Sequence, residues 1–264
     1  MKRPLPRTRR SDKFEPKADV RFTDAIVSYE VPKKKFSVRD MKNIEPLTRS
    51  QESVFDHWED DMNIMLNGFP GCGKSFLAIA LALKEILSGD SPYKKLILTR
   101  TAVPTLSQGF LPGTLDEKLE VFEAPYKAIC ADLFRRSTAY ETLKEAGIIE
   151  FTSTSYLRSM TFDDSIIVFD EWTSAAYNEV STVITRLGHN SKIIMCGDEN
   201  QCDRQNERNF VPSFDKVMRI TSMMPTFRTV NFTIEDCVRS GVCKEFLVAE
   251  ARYNEIVDNK RFDK

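Results

Sequence analysis

Residues 68–75, GFPGCGKS, constrain the fold of this chain more than any other stretch. They fit G-x-x-x-x-G-K-S/T at every fixed position, a pattern typical of a loop whose backbone N–H groups surround the phosphates of a nucleoside triphosphate. A short apolar run, 62–67, precedes the loop, and a helix-forming stretch, 76–83, follows it. A strand should therefore lead into the loop, and a helix N-terminus should face the anion. The alternative is a glycine-rich turn that arose by chance between a strand and a helix.

Two side chains at the end of this loop have specific roles in the prediction. Lys74 is expected to reach the β- and γ-phosphates, and the hydroxyl of Ser75 is expected to ligate Mg²⁺. The predicted nucleotide-binding residues are Gln51, Gly68, Phe69, Pro70, Gly71, Cys72, Gly73, Lys74, Ser75 and Phe76.

A second strand-like segment, 165–172, ends in two carboxylates, Asp170 and Glu171. Asp170 can hold Mg²⁺, usually through water, and Glu171 can orient and polarise an attacking water. The alternative is that the two acids cap the following helix. A later strand ends in 197–201, GDENQ, where Gln201 is suited to sensing the γ-phosphate or its water.

Strand-like and helix-like segments alternate along most of the chain, which predicts an α/β fold with a mainly parallel sheet, right-handed crossovers and helices on both faces. The 264 residues are enough for one large domain of this kind with additions. A helix over 115–134 is expected to be interrupted at Pro125, because proline lacks the N–H that a helix interior uses. The polar stretch 203–214 is predicted to be a loop.

Charge is distributed unevenly along the chain. Residues 1–42 contain thirteen Lys or Arg against six Asp or Glu, a balance of +7 that leaves −8 for the rest of a chain whose net charge is −1. We therefore predict a basic, partly disordered arm over 1–45 and an ATPase-type domain over 46–264. The arm could contact nucleic acid through phosphates, or it could be a solvated tail.

Cysteine usage and hydropathy favour a cytoplasmic protein. The six cysteines show no C-x-x-C spacing and one of them lies inside the phosphate loop, so we expect reduced thiols. A zinc site is not expected, because the two histidines lie far apart in sequence. No apolar run approaches the ~20 residues of a membrane span, and no signal-peptide pattern opens the chain.

Together these blocks resemble the PhoH family of ATPases, which is related to the first RecA-like half of superfamily-one helicases. The resemblance extends from about Leu47 to Ala251 and implies a RecA-like sheet that binds and hydrolyses ATP with Mg²⁺. The short form is similar to that of bacteriophage-encoded members, for which the host cytoplasm would be the location. The family-specific pieces are QGFLPGTLDEK at 108–118, YLRSMTF at 156–162, TRLGHNSKIIMCGDENQCD at 185–203 and DCVRSG at 236–241.

The resemblance also implies roles for residues outside the loop and the acids. Gln51, about twenty residues before the loop, resembles the adenine-reading element of helicase-like ATPases, although such a glutamine could also be an ordinary surface residue. Arg158 and Arg186 are expected near the nucleotide. One of these or Arg239 could act as an arginine finger, from within the chain or from a neighbouring subunit, or each could form only a surface ion pair.

Two functions from different classes are consistent with the sequence. The first is a Mg²⁺-dependent ATPase that couples hydrolysis to movement on single-stranded RNA or DNA, with Thr101, Val103 and the FLPG loop facing the strand and a homo-oligomeric ring closing the ATP cleft. The second is a nucleotide-dependent assembly or nucleic-acid-binding module without motor activity. A small-molecule kinase is disfavoured, because the GDENQ segment is helicase-like.

Overall fold

A single parallel sheet organises the structure, a computed structural model that describes residues 36–101, 115–199 and 213–262. The side chains of residues 115–119, 158–159 and 254–262 are outside that description. The strands of the described part are β1 (Asn63–Gly68), β2 (Lys95–Arg100), β3 (Ile149–Ser153), β4 (Ser165–Asp170), β5 (Ser191–Gly197) and β6 (Phe227–Phe232). Their order across the sheet is β3-β2-β4-β5-β1-β6, and every pair is parallel.

Parallel strands need crossover connections, which usually contain a helix, and here α-helices occur in every connection but that from β3 to β4, which contains a 3₁₀ turn. The helices of the described part are α1 (Arg49–Glu59), α2 (Lys74–Ser88), α3 (Leu115–Phe134), α4 (Ala139–Glu145), α5 (Tyr177–Thr185), α6 (Phe214–Ser222) and α7 (Val242–Phe262). Short 3₁₀ turns occur at Val38–Asp40, Thr154–Ser159, Trp172–Ser174 and Ile234–Asp236. Within the described residues, no helix combines the length and the apolar character that crossing a bilayer requires.

Both faces of the sheet are covered, because successive residues of a strand point to opposite sides. In β4, Ile166 and Val168 belong to the core cluster that includes residues of α1, α2, α3 and α4. The intervening Ile167 and Phe169 belong to a second cluster with residues of α5 and α6. Burial on both faces explains why β4 is an unbroken apolar run in the sequence. The predicted α/β fold, a RecA-like parallel sheet with helices on both faces, is confirmed.

The register of the strands brings their carboxyl ends to one edge. Arg100 of β2 lies beside Asp170 of β4, and Asp170 lies beside Cys196 of β5. On the other side of β5, Asn67 of β1 lies beside Gly197. The segments that leave β1, β2, β4 and β5 therefore start close together, at the edge where open parallel sheets place ligands.

One local prediction differs from the structure. Helix α3 continues through Pro125 and is not interrupted there. Residues 121 and 125 are both exposed, so water can bond the carbonyl of Val121 that Pro125 leaves without a backbone donor. Helix α6 was not predicted, and most of the loop predicted over 203–214 lies outside the described residues.

Residues 36–45, which the sequence assigns to the basic arm, contact the domain. Phe36 is buried, and its ring centroid lies 4.6 Å from that of Phe134. The N–H of Lys42 donates to the carbonyl oxygen of Leu133 at 2.8 Å, and its ammonium lies 2.5 Å from the Asp132 carboxylate. Contacts divide the chain into Met1–Val31 and Pro32–Lys264. The boundary at residue 45 stays a prediction, because residues 1–35 lie outside the described residues.

Candidate functional site

The loop of residues 68–75 joins β1 to α2, and two of its glycines combine a positive φ with a close approach of another part of the chain. Gly68 has φ of 117°, and a Cβ there would lie 2.0 Å from the carbonyl oxygen of Phe232. Gly71 has φ of 76°, and a Cβ there would lie 3.1 Å from Cδ of Arg239. Positive φ is costly for residues with a side chain, so glycine at these positions allows β6 and the segment after it to approach the loop closely.

Lys74 and the start of α2 give the loop a positive interior. The Lys74 ammonium donates to the carbonyl oxygens of Gly68 and Phe69 at 2.6 and 2.7 Å. Helix α2 begins at Lys74, so its first N–H groups carry the partial positive charge of a helix N-terminus. Burial raises the pKa of the Cys72 thiol to about 11, so this thiol adds no negative charge to the loop at neutral pH.

The two acids at the end of β4 lie directly beside this loop. The Ser75 hydroxyl donates to Oδ1 of Asp170 at 2.8 Å, and the N–H of Glu171 donates to the same oxygen at 3.2 Å. Asp170 is buried, whereas the Glu171 side chain is half exposed. Glu171 has φ of 52°, an unusual conformation for a residue with a side chain. The structure therefore brings Ser75, Asp170 and Glu171 together at the carboxyl edge of the sheet.

A cavity of about 870 Å³ contains this arrangement, within the size range of small-molecule sites. Eleven predicted site residues line it: Gln51, Pro70, Gly71, Cys72, Gly73, Lys74, Ser75, Phe76, Asp170, Glu171 and Arg239. Gly68 and Phe69 supply the carbonyl groups that bind Lys74. Further lining residues are Ile44, Glu45, Leu47, Leu77, Thr173, Cys196, Gly197, Asp198 and Val238.

Gln51 lies in the cavity wall, but its amide is bonded to backbone groups. Its Oε1 accepts from the N–H of Leu47 at 2.8 Å, and its Nε2 donates to the carbonyl oxygen of Cys72 at 3.1 Å. Only 3% of the residue is exposed. Gln51 therefore connects the start of α1 to the phosphate loop, and its predicted reading of adenine stays a prediction.

The segment after β6 is also bonded to the loop and to α1. The N–H of Val238 donates to the carbonyl oxygen of Gly71 at 3.1 Å, which brings Arg239 against the loop. Oδ2 of Asp236 accepts from the Ser50 hydroxyl at 2.8 Å and from the N–H of Thr233 at 2.9 Å. Burial favours a higher pKa for Asp236, but hydrogen bonds, including those from Ser50 and Thr233, outweigh it and lower the pKa below its usual value.

The structure does not bring Arg186 to the cavity, which corrects the prediction that it lies near the nucleotide of its own chain. Its carbonyl oxygen accepts from the N–H of Phe162 at 2.9 Å, and Phe162 comes shortly before β4 begins. Arg186 is therefore near the amino end of β4, and it is not among the residues that line the cavity. A role for it in a neighbouring subunit's site stays a prediction. Gln201 and the side chain of Arg158 lie outside the described residues.

Sequence reasoning missed two side chains that contact the acids. The hydroxyl of Tyr126 donates to Oδ2 of Asp170 at 3.2 Å, and Arg100 forms an ion pair with Glu171. The Arg100 guanidinium also lies 5.3 Å from the centroid of the Phe122 ring. The position of Arg100 at a strand's carboxyl end was a usable signal. Nothing in the sequence distinguishes Tyr126 from a core tyrosine.

Among the described residues, groups of three or more His, Cys, Asp or Glu that could hold a metal ion are absent. A metal at Ser75 and Asp170 would therefore need ligands beyond these side chains. Mg²⁺ is commonly bound in this way, by one or two protein oxygens together with substrate phosphates and waters. Because the Ser75 hydroxyl donates its hydrogen bond to Asp170, its oxygen lone pairs remain available to a cation, so the donor set fits Mg²⁺.

Similar solved structures include the Pif1 helicase from Candida albicans. The similarity covers 72% of this chain and 40% of that one, with a TM-score of 0.35 and 14% sequence identity. A second structure concerns DNA unwinding at forked double-stranded DNA by two coordinating Pif1 helicases. There the similarity covers 71% of this chain and 43% of that one, with a TM-score of 0.32 and 15% identity.

Several named proteins are similar in sequence. The PhoH-like protein of Mycobacterium tuberculosis is 30% identical over 215 residues, which are 81% of this chain and 60% of that protein. Protein PhoH of Escherichia coli is 28% identical over 216 residues, 80% of this chain and 60% of that protein. This chain thus spans about three fifths of these relatives' length. The model of the family described as PhoH-like protein matches residues 43–250, and the chain therefore belongs to that family.

Proposed function

We propose that this protein is a Mg²⁺-dependent ATPase that couples hydrolysis to action on single-stranded RNA or DNA. The observation that carries the proposal is the contact between the Ser75 hydroxyl and Asp170 at 2.8 Å, with Lys74 and Glu171 lining the same cavity. A chance glycine-rich turn would not need two acids from another strand beside it. This grouping is what phosphoryl transfer requires, since catalysis there is mainly positioning and charge stabilisation.

Ser75 and Asp170 are the residues that would hold Mg²⁺, Ser75 through its oxygen and Asp170 through its carboxylate, directly or through water. Mg²⁺, when bound, would supply positive charge that offsets the negative charge developing on the phosphate oxygens. Asp170 also keeps the Ser75 hydroxyl in place by accepting a hydrogen bond from it at 2.8 Å. The hydrogen bond between Ser75 and Asp170 thus orients the protein oxygens that would bind the metal before any substrate binds.

The other side chains of the cavity bind and position the substrate. Lys74 can exchange its bonds to the loop carbonyls for phosphate oxygens, and the N-terminus of α2 favours the same anion. Glu171, half exposed in the cavity, can orient a water for attack and accept its proton. Arg239 lies against Gly71, where a guanidinium can offset transition-state charge. Gln201 stays a predicted sensor of the γ-phosphate.

The nucleic-acid part of the proposal is supported by the sequence. The basic balance of residues 1–42 suits phosphate contacts, and the resemblance to helicase-like ATPases favours a single strand near Thr101. Val103, the FLPG loop and residues 1–35 lie outside the described residues. A homo-oligomer, possibly a ring in which a neighbouring subunit supplies Arg186, belongs to the same proposal.

Steady-state ATP turnover, with and without single-stranded RNA or DNA, tests the proposal. We expect Mg²⁺-dependent turnover that nucleic acid stimulates, and Lys74→Ala to reduce it by roughly 10²–10³-fold, the typical effect of removing a transition-state donor. Lys84→Ala is the matched control, because Lys84 is exposed on the same helix. Normal turnover in Lys74→Ala would contradict the phosphate-loop assignment. Turnover indifferent to nucleic acid would favour a nucleotide-dependent assembly module instead.

A further inference from the structure

A buried phenol contacts the carboxylate that is proposed to hold the metal. Tyr126 belongs to α3, and only 1% of it is exposed. Its hydroxyl donates to Oδ2 of Asp170 at 3.2 Å, while its ring packs against Phe151 with centroids 5.8 Å apart. Buried tyrosines usually find a partner for the hydroxyl, and the partner here is an acid of the candidate site.

The contact completes a set of donors around Asp170. Oδ1 accepts from the Ser75 hydroxyl and from the N–H of Glu171, and Oδ2 accepts from Tyr126. A carboxylate offers about four acceptor positions on its two oxygens. Donors on both oxygens prevent the carboxylate from rotating freely about its bond to Cβ. They therefore restrict which lone pair faces the cavity.

The hydrogen bond between Tyr126 and Asp170 can run in only one direction. A tyrosine hydroxyl can donate, whereas both oxygens of an ionised carboxylate can only accept. The phenol therefore donates to Oδ2 of Asp170.

We propose that Tyr126 is a positioning residue, which fixes the Asp170 carboxylate in the orientation that receives Mg²⁺ or a water bound to it. The inference rests on the proposed function, because it assigns a partner to the metal-binding acid of the same cavity. It goes beyond that function in extending the metal site to α3, which neither the phosphate loop nor the acid pair reveals in sequence.

The test distinguishes the contribution of the Tyr126 hydroxyl from that of its ring. Tyr126→Phe removes only the oxygen and leaves the packing against Phe151 in place. Tyr140→Phe is the matched control: Tyr140 is equally buried, but its acidic neighbours are Glu123 and Glu141. Binding of a fluorescently labelled ATP to the full chain is titrated with Mg²⁺ and repeated in the presence of a chelator, and thermal unfolding is recorded in parallel.

We expect Tyr126→Phe to need about tenfold more Mg²⁺ for half-maximal binding, the lower end of the effect of removing a partner of a metal ligand. Nucleotide affinity in the chelator and the melting temperature should stay close to wild type, as should all three readouts in Tyr140→Phe. In the Asp170→Asn background, Tyr126→Phe should have no further effect on the Mg²⁺ midpoint. An unchanged midpoint in Tyr126→Phe would overturn the proposal.

A second variant covers the case in which Tyr126→Phe does not fold. Incorporating p-aminophenylalanine at position 126 retains a ring of the same shape with a weaker donor, so the Mg²⁺ midpoint should lie above that of wild type. A midpoint equal to that of wild type would contradict the role of the donor. Failure of the proposed function gives a different result, since the wild-type chain itself would then bind the nucleotide without any dependence on Mg²⁺.

Discussion

The two walls of the cavity are built differently. The wall that carries the phosphate loop and the acid pair combines one continuous motif with the end of a buried strand, and Ser75 and Asp170 bond to each other directly. A second wall, the part of the lining that includes Leu47 and Val238, comes from distant parts of the chain, and these two residues are 73% and 43% exposed. The lysine, the serine and the two acids thus lie on the first wall, and the more exposed second wall is attached by a few hydrogen bonds, called tethers below.

These tethers are hydrogen bonds between segments far apart in sequence. Gln51 bonds to Cys72, Ser50 bonds to Asp236, and the N–H of Val238 bonds to Gly71. Changes on the first wall should therefore alter the rate of hydrolysis with little effect on stability. Changes at the tethers should alter stability and affinity.

The largest effect is expected on the phosphate wall, at Glu171. Glu171→Gln keeps the size of the side chain but removes the negative charge that accepts a proton from the attacking water. We expect turnover to fall by roughly 10²–10⁴-fold, the usual contribution of a general base, with ATP affinity and the melting temperature retained. Phosphate release measures the first quantity and equilibrium binding the second.

Glu52→Gln is the control for this change, because Glu52 is exposed on α1. If Glu171→Gln hydrolyses ATP at the wild-type rate, another group accepts the proton. The assignment of the chemistry to this wall would then rest on Lys74, Ser75 and Asp170 alone.

A smaller effect is expected at Asp236, whose hydrogen bond to Ser50 connects α1 to the segment that follows β6. Asp236→Ala removes the carboxylate that accepts from the Ser50 hydroxyl and from the N–H of Thr233, and hydrogen bonds to a charged group contribute about 2 kcal/mol. The free energy of unfolding, measured with denaturant, should fall by that amount. Glu235→Ala, at the exposed neighbouring position, should have little effect. An equal loss in both variants would show that the hydrogen bonds of Asp236 are not what holds this wall.

The same tether predicts a pH dependence of stability. The pKa of Asp236 is lower in the folded chain than its usual value of 3.8, so its ionised form stabilises the fold fully above about pH 4. That contribution is lost as the pH falls through the lower, folded pKa. The difference in unfolding free energy between wild type and Asp236→Ala should therefore be constant near neutrality and shrink in acid.

The two walls also differ in how much of each could be predicted from the sequence. Lys74 and Ser75 are adjacent in one motif, and Asp170 and Glu171 end one apolar strand, so local pattern was enough to place them at one sheet edge. The location of Arg186 was wrong because α5 carries it back to the amino ends of the strands. Tyr126 and the tether at Asp236 depend on contacts across 44 and 186 positions of sequence, which periodicity and spacing do not encode.

The smallest expected effect is the one that distinguishes two roles of Gln51. If its amide mainly bonds to Leu47 and Cys72, Gln51→Ala should weaken ATP and GTP binding in parallel, by roughly fivefold for about 1 kcal/mol of lost hydrogen bonding. Glu52→Ala, one residue along the same helix, should change neither. If the amide reads adenine, the loss should be confined to ATP, because guanine presents a different edge. Competition of both nucleotides against one labelled ligand measures the two affinities together, and a loss confined to ATP would move Gln51 from the tethers to the groups that recognise the base.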